Sequence, residues 1–339
     1  MRGTADYGPD SKRARTALML TLCAVVSVLV GSGSIWVQLD RAGVEARSGK
    51  VLPDFAADMP QVRIITITTK DGAYNFVRKG GVWVMPERND FPISAAALSG
   101  LAKSLSDITF KAQRTSDPSQ FARLSVDDPN PDSDGALISI KGSTGQLLHS
   151  LYVGQKAEAI FVRKAGSNDV FEVSGDMPIM SSPAAWLEMS VVEITPETIA
   201  SVSGQRVGEA GYDIVRRPDG GFAPVGGRAN VTATAAAIAL TKGAPLDVKA
   251  ASTLSSNPVG SHATTLRDGT IINVAAYQER DGDWVVLSGN TVSGEPNAAT
   301  NTLNLRTDGW AFRLTSDSFS DLTFTKRAIV DGPAAAKLP

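Results

Sequence analysis

The sequence predicts an α+β protein in which an N-terminal transmembrane helix is followed by two tandem, internally repeated units of antiparallel sheet plus helix. Three observations carry that reading. The twenty-one residues from Ala17 to Val37 contain no charge and follow Lys12, Arg13 and Arg15. Downstream, short runs alternating β-branched and polar residues are punctuated by turns and interrupted by one amphipathic stretch. The same succession then recurs from about Ile199, and self-similarity on that scale fixes architecture.

At about 1.5 Å of rise per residue the uncharged run matches a hydrocarbon layer of roughly 30 Å. Basic residues flanking a span favour the cytoplasmic side, which puts residues 1–16 inside, residues 17–38 in the inner membrane and the bulk of the chain in the periplasm. Arg41, Arg47 and Lys50 on the far flank oppose this bias. The small residues Gly31, Ser32, Gly33 and Ser34 also suit a signal peptidase, so cleavage stays open beside retention. The run continues through Ile35 and Val37, however, and Trp36 suits the aromatic interface belt, which favours retention.

Ala17, Thr21, Ala24, Ser27, Gly31 and Ser34 follow at steps of three or four and fall on one stripe of that helix. Small side chains let membrane-embedded backbones approach closely, which makes the stripe a candidate seam for a membrane-protein partner. Small residues merely tolerated in a span are the plainer reading. The one cysteine, Cys23, lies within the run, so no intramolecular disulfide can form, and Leu22 before it does not suit lipidation.

Residues 39–60 mix Gly43, Gly49 and Pro53 without a period and read as a tether. The first unit, 61–180, opens with strands at Val62–Thr68, Tyr74–Arg78 and Val82–Met85, turned at Lys70-Asp71-Gly72 and Lys79-Gly80-Gly81. Ser94 is placed to cap a helix from Ala95 to Leu105 whose Leu98, Leu101 and Leu105 share a face. Strands follow at Ala136–Lys141, Leu147–Val153, Ala159–Arg163 and Asp169–Val173. A connector, 181–198, holds short helical turns at Ala184–Met189 and after Pro196.

In the second unit, 199–330, Tyr212 and Arg216 answer Tyr74 and Arg78, and Gly220-Gly221 answers Gly80-Gly81. Pro224 corresponds to Pro86, and Ala235-Ala236-Ala237 to the helix opening Ala95-Ala96-Ala97. Strands at Thr264–Leu266, Ile271–Tyr277 and Trp284–Leu287 precede a closing strand at Trp310–Leu314, and residues 331–339 read as a disordered tail.

This order of elements resembles the bacterial family called domain of unknown function 4340. The residues that carry the likeness are Gly80-Gly81-Val82-Trp83, the stretch Arg123 to Pro129, Tyr152-Val153-Gly154, Trp186-Leu187, Leu303-Asn304 and Gly309-Trp310-Ala311-Phe312. The resemblance spans roughly residues 60–330 and implies a membrane-anchored envelope protein, in a setting similar to accessory components of ABC-type transporters. It implies no catalytic residues. Phe222-Ala223 stands where a second Gly-Gly-x-Trp turn would be expected.

No constellation in the sequence names a reaction. The two histidines, His149 and His262, lie in or beside strands, and two histidines with one intramembrane cysteine cannot close a zinc site. Asn130, Asp132, Asp134 and Gly135 imitate the start of a calcium loop, but Lys141 occupies the twelfth position and Pro131 intrudes. Phosphate-cradling loops are missing, and a formal net charge of −2 offers nucleic acid no basic face. Asp127-Asp128 and Asp281 with Asp283 are carboxylate pairs of the kind found in turns, and Trp83, Trp284, Trp310, Tyr74 and Tyr212 fit core positions. The expectation is a non-enzymatic scaffold or auxiliary subunit without cofactor or metal. The alternatives are a periplasmic binding module for an envelope polymer or lipid, and a cryptic hydrolase using Asp127 or Asp128.

Overall fold

The computed structural model describes residues 48–333. The tail 1–16, the span 17–38 and the seam Ala17, Thr21, Ala24, Ser27, Gly31 and Ser34 lie outside the described residues, as do residues 334–339. Among the described residues no helix is long and apolar enough to cross a membrane. The chain divides into two compact units, the second consisting of Arg88–Phe91 together with the residues from Glu188 onward. Each is built on its own antiparallel sheet with a few helices, an α+β fold.

The first sheet comprises β1 (Val62–Thr69), β2 (Gly72–Lys79), β3 (Val82–Met85), the two-residue β4 (Phe91–Pro92), β5 (Thr109–Thr115), β6 (Ala136–Gly142), β7 (Leu147–Lys156), β8 (Ala159–Lys164) and β9 (Val170–Ser174). Their order across the sheet is β4-β3-β2-β1-β6-β7-β8-β9-β5. Period-two burial explains the strands: in β1 Ile65 and Ile67 are buried while Thr66 and Thr68 are not. At Gly72 φ is +117°, a conformation that glycine adopts at little cost, and the chain turns there into β2.

Strand β5 did not emerge from the sequence. Its pairing with β9 shifts register between Phe110 and Ala112 and again between Gln113 and Thr115, which breaks the alternation that would have announced it.

The residues from Ser48 to Pro60, expected to be part of a tether, are instead packed. Val51, Leu52 and Phe55 are buried, and Phe55 opens the short helix α1 (Phe55–Asp58). Lys50 bridges Thr109, with Val51 N donating to Ile108 O (3.0 Å) and Phe110 N to Gly49 O (3.0 Å). Apolar residues spaced too irregularly to show a period nonetheless fill a gap beside the sheet.

Helix α2 (Ala95–Asp107) buries Leu98, Leu101 and Leu105, as their spacing requires. Ser94 occupies the N-cap position, but its side chain makes no capping bond. Its backbone N–H donates to Trp186 O (2.8 Å), and Ile93 bridges Leu187, so the chain before Glu188 is stitched to the start of this helix. The connector's helical turns are 3-10 segments at Pro183–Trp186 and Pro196–Thr198.

The second sheet comprises β10 (Ile199–Arg206), β11 (Tyr212–Arg216), β12 (Phe222–Pro224), β13 (Asp247–Ala250), β14 (Gly260–Leu266), β15 (Thr270–Glu279), β16 (Gly282–Thr291) and β17 (Trp310–Leu314). They are ordered β12-β11-β10-β14-β15-β16-β17-β13. With β4 set aside, this is the strand order of the first sheet: three strands in reverse, four in sequence, and the strand that follows the helix placed at the far edge. The helix matched to α2 is displaced from its expected position. Helix α3 runs Val231–Ala237, so Ala235-Ala236-Ala237 closes it rather than opening it, and Asn230 caps it by accepting from Ala233 N (2.7 Å).

The region Asn301–Val330, read from sequence as little more than a strand, also holds helices. They are α4 (Ala298–Thr307), α5 (Ser316–Leu322) and α6 (Lys326–Val330). Helix α4 lacks an amphipathic stripe, its Leu305 being 84% exposed, which hid it from a periodicity reading.

Candidate functional site

The histidines come first because a serine–histidine–acid triad would need one of them. His149 on β7 is paired with Asp58 of α1 (Nε2 to Oδ2, 2.9 Å), with the Phe55 ring 5.7 Å away edge-on. Ser150 beside it shares its hydroxyl bond with Ser139 instead (3.3 Å). The pair therefore fastens α1 to the sheet. His262 on β14 is buried, bonded through Nε2 to Thr264 Oγ1 (3.1 Å), and burial pushes its pKa down to about 4. It is neutral near pH 7 and closed to solvent.

The carboxylate pairs are likewise engaged locally. Asp127 accepts from Ser133 Oγ (3.1 Å) and Asn130 Nδ2 (2.9 Å), while Asp128 accepts from the Tyr152 hydroxyl. Asp281 accepts from Trp284 Nε1 (2.9 Å) and pairs with Lys249 Nζ (3.0 Å). In the calcium-like loop Asn130 Oδ1 accepts from Asp132 N (2.9 Å), and Asp134 meets two lysines rather than further acids. Among the described residues no group of three or more His, Cys, Asp or Glu is arranged to hold a metal ion. Trp83, Trp284, Tyr74 and Tyr212 are buried and Trp310 is half-buried, so they present no stacking platform.

The residues that carried the family resemblance have architectural work. Gly80 and Gly81 turn the chain at φ +57° and +91°. Ser125 takes a left-handed φ of +53°, and Gly154 packs so closely on this corner that a Cβ would stand 2.0 Å from Leu124 O. Arg163 stacks on Tyr152 and Phe121 (3.8 and 4.4 Å) and donates to Val126 O (2.9 Å). Trp186 Nε1 donates to the Tyr74 hydroxyl (3.0 Å), which donates to Met180 O (2.6 Å). Asn304 clasps Gly289 through both its side-chain amide and carbonyl.

Among the concave sites of the described residues, two exceed about 400 Å³. In the second unit a groove of about 860 Å³ runs between residues 191–198, the start of β15 and α4. Ile194, Leu266, Ile272 and Leu303 give it apolar walls, and Arg306, 3.5 Å from Glu193 and bonded to Ser190 O (3.1 Å), sits at its rim.

In the first unit a cavity of about 450 Å³ opens beside Asp134. Lys70, in the β1–β2 turn, and Lys156, at the end of β7, each stand 3.4 Å from that carboxylate. The two ammonium groups hold the Asp134 carboxyl below its ordinary range, Lys156 acting more strongly. The lining also includes Met177, Pro178, Ile179 and Met180. Sequence reasoning singled out Asp134 but not the lysines. They lie 64 and 22 residues from it, and only the sheet brings them together.

Fold and sites define a two-unit α+β protein without a recognisable catalytic constellation among the described residues. The family model for a domain of unknown function (DUF4340) matches residues 83–257, just over half of the chain, and the chain belongs to that family. No curated protein matches it significantly.

Proposed function

We propose that this is a non-enzymatic, single-span envelope protein of the inner membrane, with its N-terminus cytoplasmic and its bulk periplasmic. It serves as a scaffold or auxiliary subunit of a membrane complex such as an ABC-type transporter. The observation that carries the reading is the uncharged run Ala17–Val37 behind Lys12, Arg13 and Arg15, followed by a body of ordinary globular composition. Support comes from the acids and histidines, whose partners give them structural work, and from the shared strand order of the two sheets, which fits an internal duplication. The partner seam on this reading is the stripe Ala17, Thr21, Ala24, Ser27, Gly31 and Ser34.

The test pairs a compartment reporter fused after Pro339 with copurification in mild detergent. Periplasmic reporter activity is expected, together with membrane partners that are lost when Ser27→Leu and Gly31→Leu are combined. Recovery of the intact chain as a soluble cytosolic species overturns the reading. Partners that persist in the double variant remove the seam.

The two concave sites favour a second reading, a binding module for an envelope lipid or polymer. A ligand bound only by the folded state raises the melting temperature, so thermal shift against an envelope lipid extract tests it.

A further inference from the structure

We propose that the cavity beside Asp134 binds a single-chain anionic amphiphile, its acidic head at Lys70 and within reach of Lys156, which pairs with Asp134 from just outside the lining, and its chain along Met177 and Met180. This rests on the binding-module reading and names the ligand class and the site.

Two ammonium groups, Lys70 in the β1–β2 turn and Lys156 at the end of β7, share the Asp134 carboxylate, so this cluster of three carries one positive charge in excess. Both contacts are long, at 3.4 Å, and the side chains are 42%, 45% and 59% exposed for Lys70, Lys156 and Asp134. Exposed pairs of this kind are weak, so an incoming anion can take a share of both lysines at little cost. Gln155 and Ser181, exposed on the same rim, add polar groups able to bond a second head-group oxygen.

The Met177–Met180 part of the lining is apolar and adaptable. Met177 and Met180 are buried while Ile179 is 73% exposed, and methionine side chains re-pack around chains of varied shape. A volume of about 450 Å³ lies within the range of small-ligand pockets. A divalent cation fits less well, since it would have to displace two ammonium groups from Asp134, and Asn130 Oδ1 is already bonded to Asp132 N.

The experiment uses the full chain in amphipol and a diazirine-bearing decanoate, with labelled peptides mapped by mass spectrometry. Label is expected on the peptide holding Met177–Met180. Decanoate and decyl phosphate should compete it away, and whichever competes at the lower concentration identifies the head group as carboxylate or phosphate. Decanol and acetate should not compete. Lys70→Met with Lys156→Met should cut labelling at least tenfold, Lys70→Arg with Lys156→Arg should retain it, and Asp134→Asn should raise it severalfold by removing the internal competitor.

Equal competition by decanol, or labelling indifferent to the combined Lys70→Met and Lys156→Met changes, overturns the proposal. So does stabilisation by calcium alone that Asp134→Asn abolishes. Thermal stabilisation by envelope lipid extract that survives in the combined Lys70→Met and Lys156→Met variant overturns this site while leaving the binding-module reading intact. No stabilisation and no label overturns both.

Discussion

Tyr74 and Tyr212 occupy matching strands, are both buried, and differ in their hydroxyls. The hydroxyl of Tyr74 receives Trp186 Nε1 and gives to Met180 O, whereas that of Tyr212 has no hydrogen-bond partner among the described residues. Burial raises the pKa of both, Tyr212 to about 12. Tyr74→Phe should therefore cost about 1–3 kcal/mol by orphaning the buried indole N–H, while Tyr212→Phe should be close to neutral or stabilising in urea titration. The pairing of these tyrosines was visible in sequence. Their partners were not, because Trp186 and Met180 lie more than a hundred residues from Tyr74.

His262 gives a pH prediction at the same scale. Its folded pKa of about 4 lies below the ordinary 6.5, so between those values the unfolded chain binds the proton and the folded chain does not. Stability is then complete above about pH 6.5 and falls by roughly 3 kcal/mol as pH drops to 4. His262→Leu should flatten that slope in melting curves. Glu279 acts lower. Bonds from Ser255 and Ser256 hold it at about 2, so its contribution is complete above the ordinary 4.5 and lost as pH falls toward 2.

At the scale of elements, the residues before β1 test how far a polar-looking segment can be structural. Phe55 is 1% exposed, and Phe55→Ala should cost roughly 3–5 kcal/mol, where a true tether would show no change in unfolding midpoint. Helix α4 depends on its ends more than on its faces. Asn297 and Thr300 form a reciprocal capping box, and Asn297→Ala should cost about 1 kcal/mol by denaturant titration.

The long alternating strands β1, β6 and β15 and the helix α2 were legible because a buried face imposes a period. Strands β5 and β13 escaped for different reasons, the first through its bulges and the second because its four residues bury a single apolar side chain, Val248. Helix α3 was misplaced because its alanines carry no directional pattern, and the capping residue Asn230 was the better signal of its start. The cavity beside Asp134 was beyond reach, since no local pattern links a turn lysine to an acid 64 residues away.

On the scale of the whole molecule, the second unit is discontinuous in sequence. Its segment Arg88–Phe91 supplies an ion pair from Arg88 Nε to Asp247 Oδ1 (2.7 Å) and a ring, Phe91, that stands 5.0 Å from Trp310 and 6.0 Å from Phe312. A fragment begun at Glu188 lacks both. It should expose its core, bind a hydrophobic dye and unfold at lower denaturant than the same unit within the full chain.

Because Phe91 leaves the ribosome long before Trp310 and Phe312, the later half of the chain cannot mature on its own schedule. Its closing step joins Phe91 to rings more than two hundred residues later in the chain, a contact whose large loop must be closed before any reward is gained. Refolding should accordingly be slow, and chains halted short of Trp310 should remain clients of quality-control machinery however well their first sheet has formed.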